Sequence, residues 1–205
     1  MTKVKVCGIT NLKSAFYACF YGADAVGFIF YKKSPRYIAP AKAKKIISLL
    51  PKHILKVGVF VDAKENDIKR IAGQCRLDMI QLHGNESPDF CGKFKGYKII
   101  KALRIKNKDS LKNISAYKVY AYLFDTYAKG KFGGTAKTFD WRLLKLVKRL
   151  KKPVFLSGGL NPSNVSKAIR AVRPEWVDAS SSLESSPGKK DSQKIKRFIA
   201  AVKEK

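Results

Sequence analysis

The sequence predicts a single α/β domain, a (β/α)8 barrel of the TIM type, and three observations carry that expectation. Eight short apolar or β-branched runs alternate with amphipathic segments of helical length along the whole chain. The runs are nearly continuous in apolar character, which suits strands of a parallel sheet covered on both faces. No Pro/Ser-rich stretch or composition break divides the 205 residues. At roughly 150 residues per domain the length allows one large domain or two small ones, and the unbroken pattern favours one catalytic domain over 1–205. A doubly wound open sheet is the competing architecture, but it normally uses about five or six strands.

In chain order, the first strand is expected at 4–7, and Thr10-Asn11 can cap a helix over 12–21. Strand 25–30 leads to helix 40–50, and strand 55–61 to helix 65–74. Strand 78–82 is followed by a shorter helical segment at 87–95. Strands 97–103 and 119–124 come next, each with a helix-sized segment behind it, the second holding a helix at 139–150. Strand 154–156 precedes a helix at 161–172, where Asn161-Pro162 places a cap before a proline at the first helical position. Strand 176–179 and helix 191–202 close the chain.

Composition narrows the class further. Hydrophobic residues make up 45% and aromatics 11%, enough for a core and against wholesale disorder. No apolar run approaches the roughly 20 residues of a membrane span, and the N-terminus lacks an apolar signal core, so a cytoplasmic protein without a membrane partner is expected. Lys plus Arg number 43 against 15 Asp plus Glu, a net charge of +28. That excess attracts phosphates. Yet it is spread as pairs, Lys32-Lys33, Lys44-Lys45, Lys151-Lys152 and Lys189-Lys190, which reads as solvated helix faces and not as a specific nucleic-acid surface. Cys7, Cys19, Cys75 and Cys91 show no C-x-x-C spacing, so neither a zinc site nor a redox pair is expected.

In a barrel of this kind the chemistry sits at the C-terminal ends of the strands. Ser157-Gly158-Gly159 follows the seventh strand and Asp178-Ala179-Ser180-Ser181-Ser182 the eighth. Glycine lets backbone approach a ligand closely, and a helix N-terminus offers free N–H groups, so Gly158, Gly159, Ser180 and Ser181 are candidates for a phosphate. Cys7 ends the first strand, either a buried small hydrophobe or a reactive thiol. Asp125 ends the sixth behind Tyr122-Leu123-Phe124, where an apolar setting suits a general acid, although an Asp can equally cap a loop. Arg36 can fork onto a carboxylate or lie on the surface. His83 is a pocket residue or a satisfied structural one.

Taken together, Val4-Lys5-Val6-Cys7-Gly8-Ile9-Thr10, Gly22-Ala23-Asp24-Ala25-Val26-Gly27-Phe28, Ser34-Pro35-Arg36-Tyr37-Ile38, Val57-Gly58-Val59-Phe60-Val61 and Gln81-Leu82-His83-Gly84 resemble the phosphoribosylanthranilate isomerase family. Asp125, Gly133-Gly134-Thr135 with Phe139-Asp140-Trp141, Leu156-Ser157-Gly158-Gly159-Leu160 and Pro187-Gly188-Lys189-Lys190-Asp191 extend the resemblance in order to about residue 191. It implies an isomerase of tryptophan biosynthesis that converts N-(5-phosphoribosyl)anthranilate to 1-(o-carboxyphenylamino)-1-deoxyribulose 5-phosphate by an Amadori rearrangement. It further implies Asp125 as general acid, Cys7 as general base and Arg36 on the anthranilate carboxylate. The loops after strands seven and eight would hold the phosphate, with His83 and Asp178 also in the pocket. No metal or organic cofactor is implied, and the chain would be a monomer or a homodimer. Ala136 and Ser182 stand where that family usually has glycine, and Lys13-Ser14 where it tends to be acidic. The related histidine-pathway isomerase is the alternative enzyme, but its chemistry normally takes two carboxylates, and Cys7 opposite Asp125 argues against it.

Overall fold

A computed structural model describes residues 1–127 and 138–204. The Gly133-Gly134-Thr135-Ala136 motif therefore lies outside the described residues. Eight parallel strands close into a barrel: β1 (Lys3–Cys7), β2 (Ala25–Ile29), β3 (Leu55–Phe60), β4 (Met79–Leu82), β5 (Lys98–Ile105), β6 (Ala121–Thr126), β7 (Val154–Leu156) and β8 (Trp176–Ala179). The ring shuts where β8 returns to β1, with Val4 against Val177 and Val6 against Ala179. The outer layer holds α1 (Leu12–Phe20), α2 (Pro40–Ile47), α3 (Glu65–Cys75), α4 (Pro88–Gly92), α5 (Val165–Val172) and α6 (Ser192–Lys203). A small hairpin of β9 (Glu184–Ser186) and β10 (Lys189–Lys190) sits between β8 and α6.

Successive side chains of a strand point to opposite faces, so each barrel strand serves two cores. Val4, Val6, Ile80, Leu82, Tyr122, Phe124, Leu156 and Val177 face outward and pack in the layer between strands and helices. Ala25, Val57, Met79, Ile100, Ala121, Leu123, Phe155 and Trp176 fill the barrel interior, with the Phe155 and Trp176 rings stacked 4.9 Å apart. This apolar plug occupies the lower barrel. The same inward parity then delivers Lys5, Cys7, Gln81, His83, Asp125, Ser157 and Asp178 towards the C-terminal mouth.

The helical layer is less regular than the sequence suggests. No α-helix follows β5: Asn107 and Ser110 cap a short 3₁₀ turn, and Asn113 at φ +61° breaks the chain before a second one at Ile114–Ala116. The helix expected at 139–150 is 3₁₀ over Trp141–Leu150, wound from its start by a Leu143 N–H bond to Asp140 O. Behind β4 the helix shrinks to five residues, capped by the Ser87 hydroxyl. Asn161 does not cap α5. Its side chain accepts from the N–H groups of Ser163 and Asn164, which closes a turn first and delays the helix to Val165. Asn11 caps α1 as expected, accepting from Ser14 N–H at 2.8 Å. Among the described residues no helix is long and apolar enough to cross a membrane.

Candidate active site

Cys7, Arg36, His83, Asp125, Asp178 and Ser180 line one cavity at the C-terminal mouth of the barrel, together with Gln81 and Ser157. They come from β1, the β2–α2 loop, the end of β4, β6 and β8. Cys7 and Asp125 are buried, at 5% and 4% exposure, and stand on strands separated around the ring by β7 and β8. A small ligand in this mouth would lie between the thiol and the carboxylate.

Each group is held in place. Asp125 Oδ1 accepts from the Thr126 N–H at 2.8 Å, and Oδ2 stands 3.3 Å from His83 Nε2. The Gln81 side-chain nitrogen meets His83 Nδ1 at 2.8 Å. That contact orients the ring so that Nε2 is the nitrogen that faces Asp125. Gly158, at φ +86°, passes directly over this carboxylate: a Cβ there would lie 3.1 Å from Asp125 Oδ1 and 2.6 Å from Thr126 N. Positive φ and lack of space both require glycine at that position.

The thiol has two buried lysines near it. Lys5, fully buried, makes a 2.8 Å ion pair with Asp178 Oδ1. Burial pushes the Cys7 thiol up from its ordinary value, Lys5 and Lys190 pull it down, and Asp178 adds to the rise. Burial by itself would lower Lys5, but Asp178 and Cys7 outweigh it and hold the ammonium above the usual lysine range. Ser180 Oγ donates to Cys7 O at 3.0 Å, and Lys190 Nζ donates to Ser180 O at the same distance.

Arg36 is tied down in a way that no local pattern announces. Its Nε and Nη2 meet Glu184 Oε1 and Oε2 at 2.8 and 2.7 Å, and Lys190 Nζ reaches the same carboxylate at 2.8 Å. Burial would raise the Glu184 carboxyl, yet the two cations hold it below the usual range. The Nε–Nη2 edge of the guanidinium is therefore committed to Glu184. Gly8, at φ +79°, makes room for this: a Cβ there would stand 2.8 Å from Arg36 Cδ and 2.9 Å from Ser180 Oγ.

Gly158 and Gly159 both adopt positive φ, and Ser181 opens a 3₁₀ turn after β8. The two loops are stitched together, because the Ser182 hydroxyl donates to Leu160 O. Ser182 itself is not in the left-handed region. Serine at 182, where the resembled family usually has glycine, therefore adopts an unstrained conformation and makes a contact that glycine cannot. Sequence reasoning also missed Lys5, Glu184 and Lys190 as parts of the site. Lys190 belongs to a pair read as a solvated face, but its side chain is wholly buried. Counting by twos back from Cys7 would have turned Lys5 inward.

Comparison with known proteins agrees in detail. The family model for N-(5'phosphoribosyl)anthranilate (PRA) isomerase matches residues 4–201. An N-(5'-phosphoribosyl)anthranilate isomerase of Geobacter sp. (strain M21) is 47% identical over 203 residues, covering 99% of this chain and 98% of the relative. The crystal structure of phosphoribosyl anthranilate isomerase from Thermotoga maritima superposes with a TM-score of 0.94 at 43% identity, covering 99% of each chain. A phosphoribosyl anthranilate isomerase solved in complex with reduced 1-(o-carboxyphenylamino)-1-deoxyribulose 5-phosphate superposes at 0.90 with 42% identity, again over 99% of each chain.

Proposed function

The chain belongs to the N-(5'-phosphoribosyl)anthranilate isomerase family, and from that footing we propose that residues 1–205 form one catalytic domain that performs the Amadori rearrangement with Asp125 as acid and Cys7 as base. The observation that carries this reading is the placement of those two groups, buried, on separated strands of one cavity.

The chemistry needs two proton transfers at neighbouring positions. Protonation of the furanose ring oxygen breaks the C1′–O bond and leaves an iminium between C1′ and the anthranilate nitrogen. The iminium acidifies the C2′ hydrogen. A base removes it to give an enolamine, which tautomerises to the ketone at C2′. Asp125 suits the first step, since it lines the cavity, its Oδ1 is held by the Thr126 N–H, and Oδ2 stands 3.3 Å from His83 Nε2. Cys7 suits the second, with the thiolate as its active form.

The other groups position the ends of the substrate. Arg36 lines the cavity and would receive the anthranilate carboxylate, while Glu184 sets the plane of the fork. Backbone N–H groups around Gly158, Gly159, Ser180 and Ser181 would cradle the phosphate, because amides at loop and helix starts bind an anion without bringing a buried counter-charge. The relative solved in complex with reduced 1-(o-carboxyphenylamino)-1-deoxyribulose 5-phosphate supports a ligand of this class.

Fluorescence of N-(5-phosphoribosyl)anthranilate on adding the purified protein tests the proposal. A decay that Asp125→Asn and Cys7→Ser each slow by roughly 10²–10⁴-fold, the usual worth of a positioned acid or base, is expected. No decay with the natural chain, or near-normal decay in both variants, would overturn it.

A further inference from the structure

We infer that Lys5 is the counter-ion of the Cys7 thiolate: its buried ammonium, locked by Asp178, offsets part of the penalty that burial places on the charged sulfur and fixes where it points. The inference rests on Cys7 being the base, but its first test does not.

Three geometric facts place the charge. Lys3, Lys5 and Cys7 lie on the same face of β1 because side chains alternate along a strand, so Lys5 stands one inward step below the thiol. Gly27 of β2, paired with Cys7 in the ladder, leaves the space that both groups share. A Cβ on Gly27 would stand 2.7 Å from Cys7 Sγ and 3.2 Å from Lys5 Nζ, so sulfur and ammonium meet over one missing methyl group. Asp178 Oδ1 then fixes Lys5 from β8 at 2.8 Å.

A lysine is an expensive choice for so dry a position, and a purely structural role is poorly served by it. Apolar side chains of similar volume commonly replace buried ion pairs without loss of stability. What an apolar residue cannot do is offset the penalty that burial places on a thiolate. The ammonium also has no part as a base: Asp178 and Cys7 keep it charged.

The other charged groups around the thiol do not replace Lys5. Asp178, on β8, opposes the thiolate, and its own carboxylate is paired with Lys5 at 2.8 Å. Lys190, on β10, already serves Glu184 and Ser180 O. Arg36, from the β2–α2 loop, is bound to the same Glu184. Asp125 and His83 line the cavity from the ends of β6 and β4 and face each other at 3.3 Å.

The test is the pH dependence of iodoacetamide alkylation, read site by site by mass spectrometry so that Cys19, Cys75 and Cys91 serve as internal references. Lys5→Met removes the charge, and Lys5→Gln removes it while keeping a donor for Asp178, which guards against loss of the fold. In either variant the midpoint for Cys7 should rise by a pH unit or more, about a tenfold loss of thiolate at a fixed pH below it. The midpoint of Cys19 should stay put, and kcat/KM should fall with the thiolate fraction while KM changes less. An unmoved Cys7 midpoint in a folded variant would overturn the inference. Normal turnover by Cys7→Ser, with the midpoint shift intact, would instead overturn Cys7 as base and leave the ion-pair geometry standing.

Discussion

Glu184→Gln removes one charge from a cluster in which two cations converge on one carboxylate. Arg36 contributes two contacts, at 2.8 and 2.7 Å, and Lys190 a third at 2.8 Å, with the Glu184 side chain only 4% exposed. Breaking a buried pair by removing one partner costs roughly 3–5 kcal/mol. Glutamine keeps one carbonyl acceptor, so the low end, about 3 kcal/mol, is the expected loss. For a chain of this size each kcal/mol shifts Tm by about 2–4 °C, giving a fall of about 6–12 °C by circular dichroism. The pH dependence has a definite sign. A carboxyl held below its unfolded value stabilises the fold at pH above about 4.3 and loses that contribution as pH falls through the folded value. Acid destabilisation should therefore be shallower in the glutamine variant than in the natural chain. KM should rise as well, because the Arg36 fork loses the partner that sets its plane. A Tm within 2 °C of the natural protein, with KM unchanged, would refute the idea that Glu184 organises this side of the site.

Arg36→Ala should raise KM about tenfold to a hundredfold with a smaller effect on kcat, the worth of roughly 1.5–3 kcal/mol for a charge-assisted contact made in ground and transition states alike; unchanged steady-state kinetics would make it a structural partner of Glu184 only. Ser182→Gly deletes the hydroxyl that ties the β7 and β8 loops at Leu160 O, so inhibition by inorganic phosphate should weaken about threefold to tenfold, as loss of one hydrogen bond implies. An equal or tighter inhibition constant would show that the stitch does not shape the phosphate loops. Because burial lifts the Cys7 thiol and a base acts unprotonated, kcat/KM should climb with pH and reach half its plateau above the free-thiol value of about 8.5; a profile flat from pH 6 upward would contradict this.

The barrel strands were legible because burial on both faces leaves a continuous apolar run that no surface element shares. Observed strand ends differ from the expected ones by a residue or two, as at Phe30 and Val61. The helical layer was harder to read. Lys108–Ala116 has enough apolar residues for a helix, but Asn107, Ser110 and Asn113 spend their side chains and φ angles on turns. At the site, residues at strand ends were legible: Cys7, His83, Asp125, Asp178 and Ser180 converge because the fold sends every strand to the same mouth. Lys5 was hidden as a charge inside an apolar run, although strand parity contains the answer. The Arg36–Glu184 pair spans 148 residues of sequence, and no local spacing encodes such a contact. The charge pattern misled at Lys190, read with Lys189 as a solvated face but buried against Glu184, and Lys5 and Lys101 are likewise buried, against Asp178 and Glu86.

The division of labour between Asp125 and Cys7 is tested most directly by turnover of N-(5-phosphoribosyl)anthranilate deuterated at C2′. Asp125→Asn slows ring opening, a step that precedes C2′–H cleavage, so its rate should be nearly insensitive to the label. Cys7→Ser slows the cleavage itself, so it should show a full primary isotope effect, larger than that of the natural enzyme. The reverse pattern, a full effect in Asp125→Asn and none in Cys7→Ser, would contradict the assignment of acid and base.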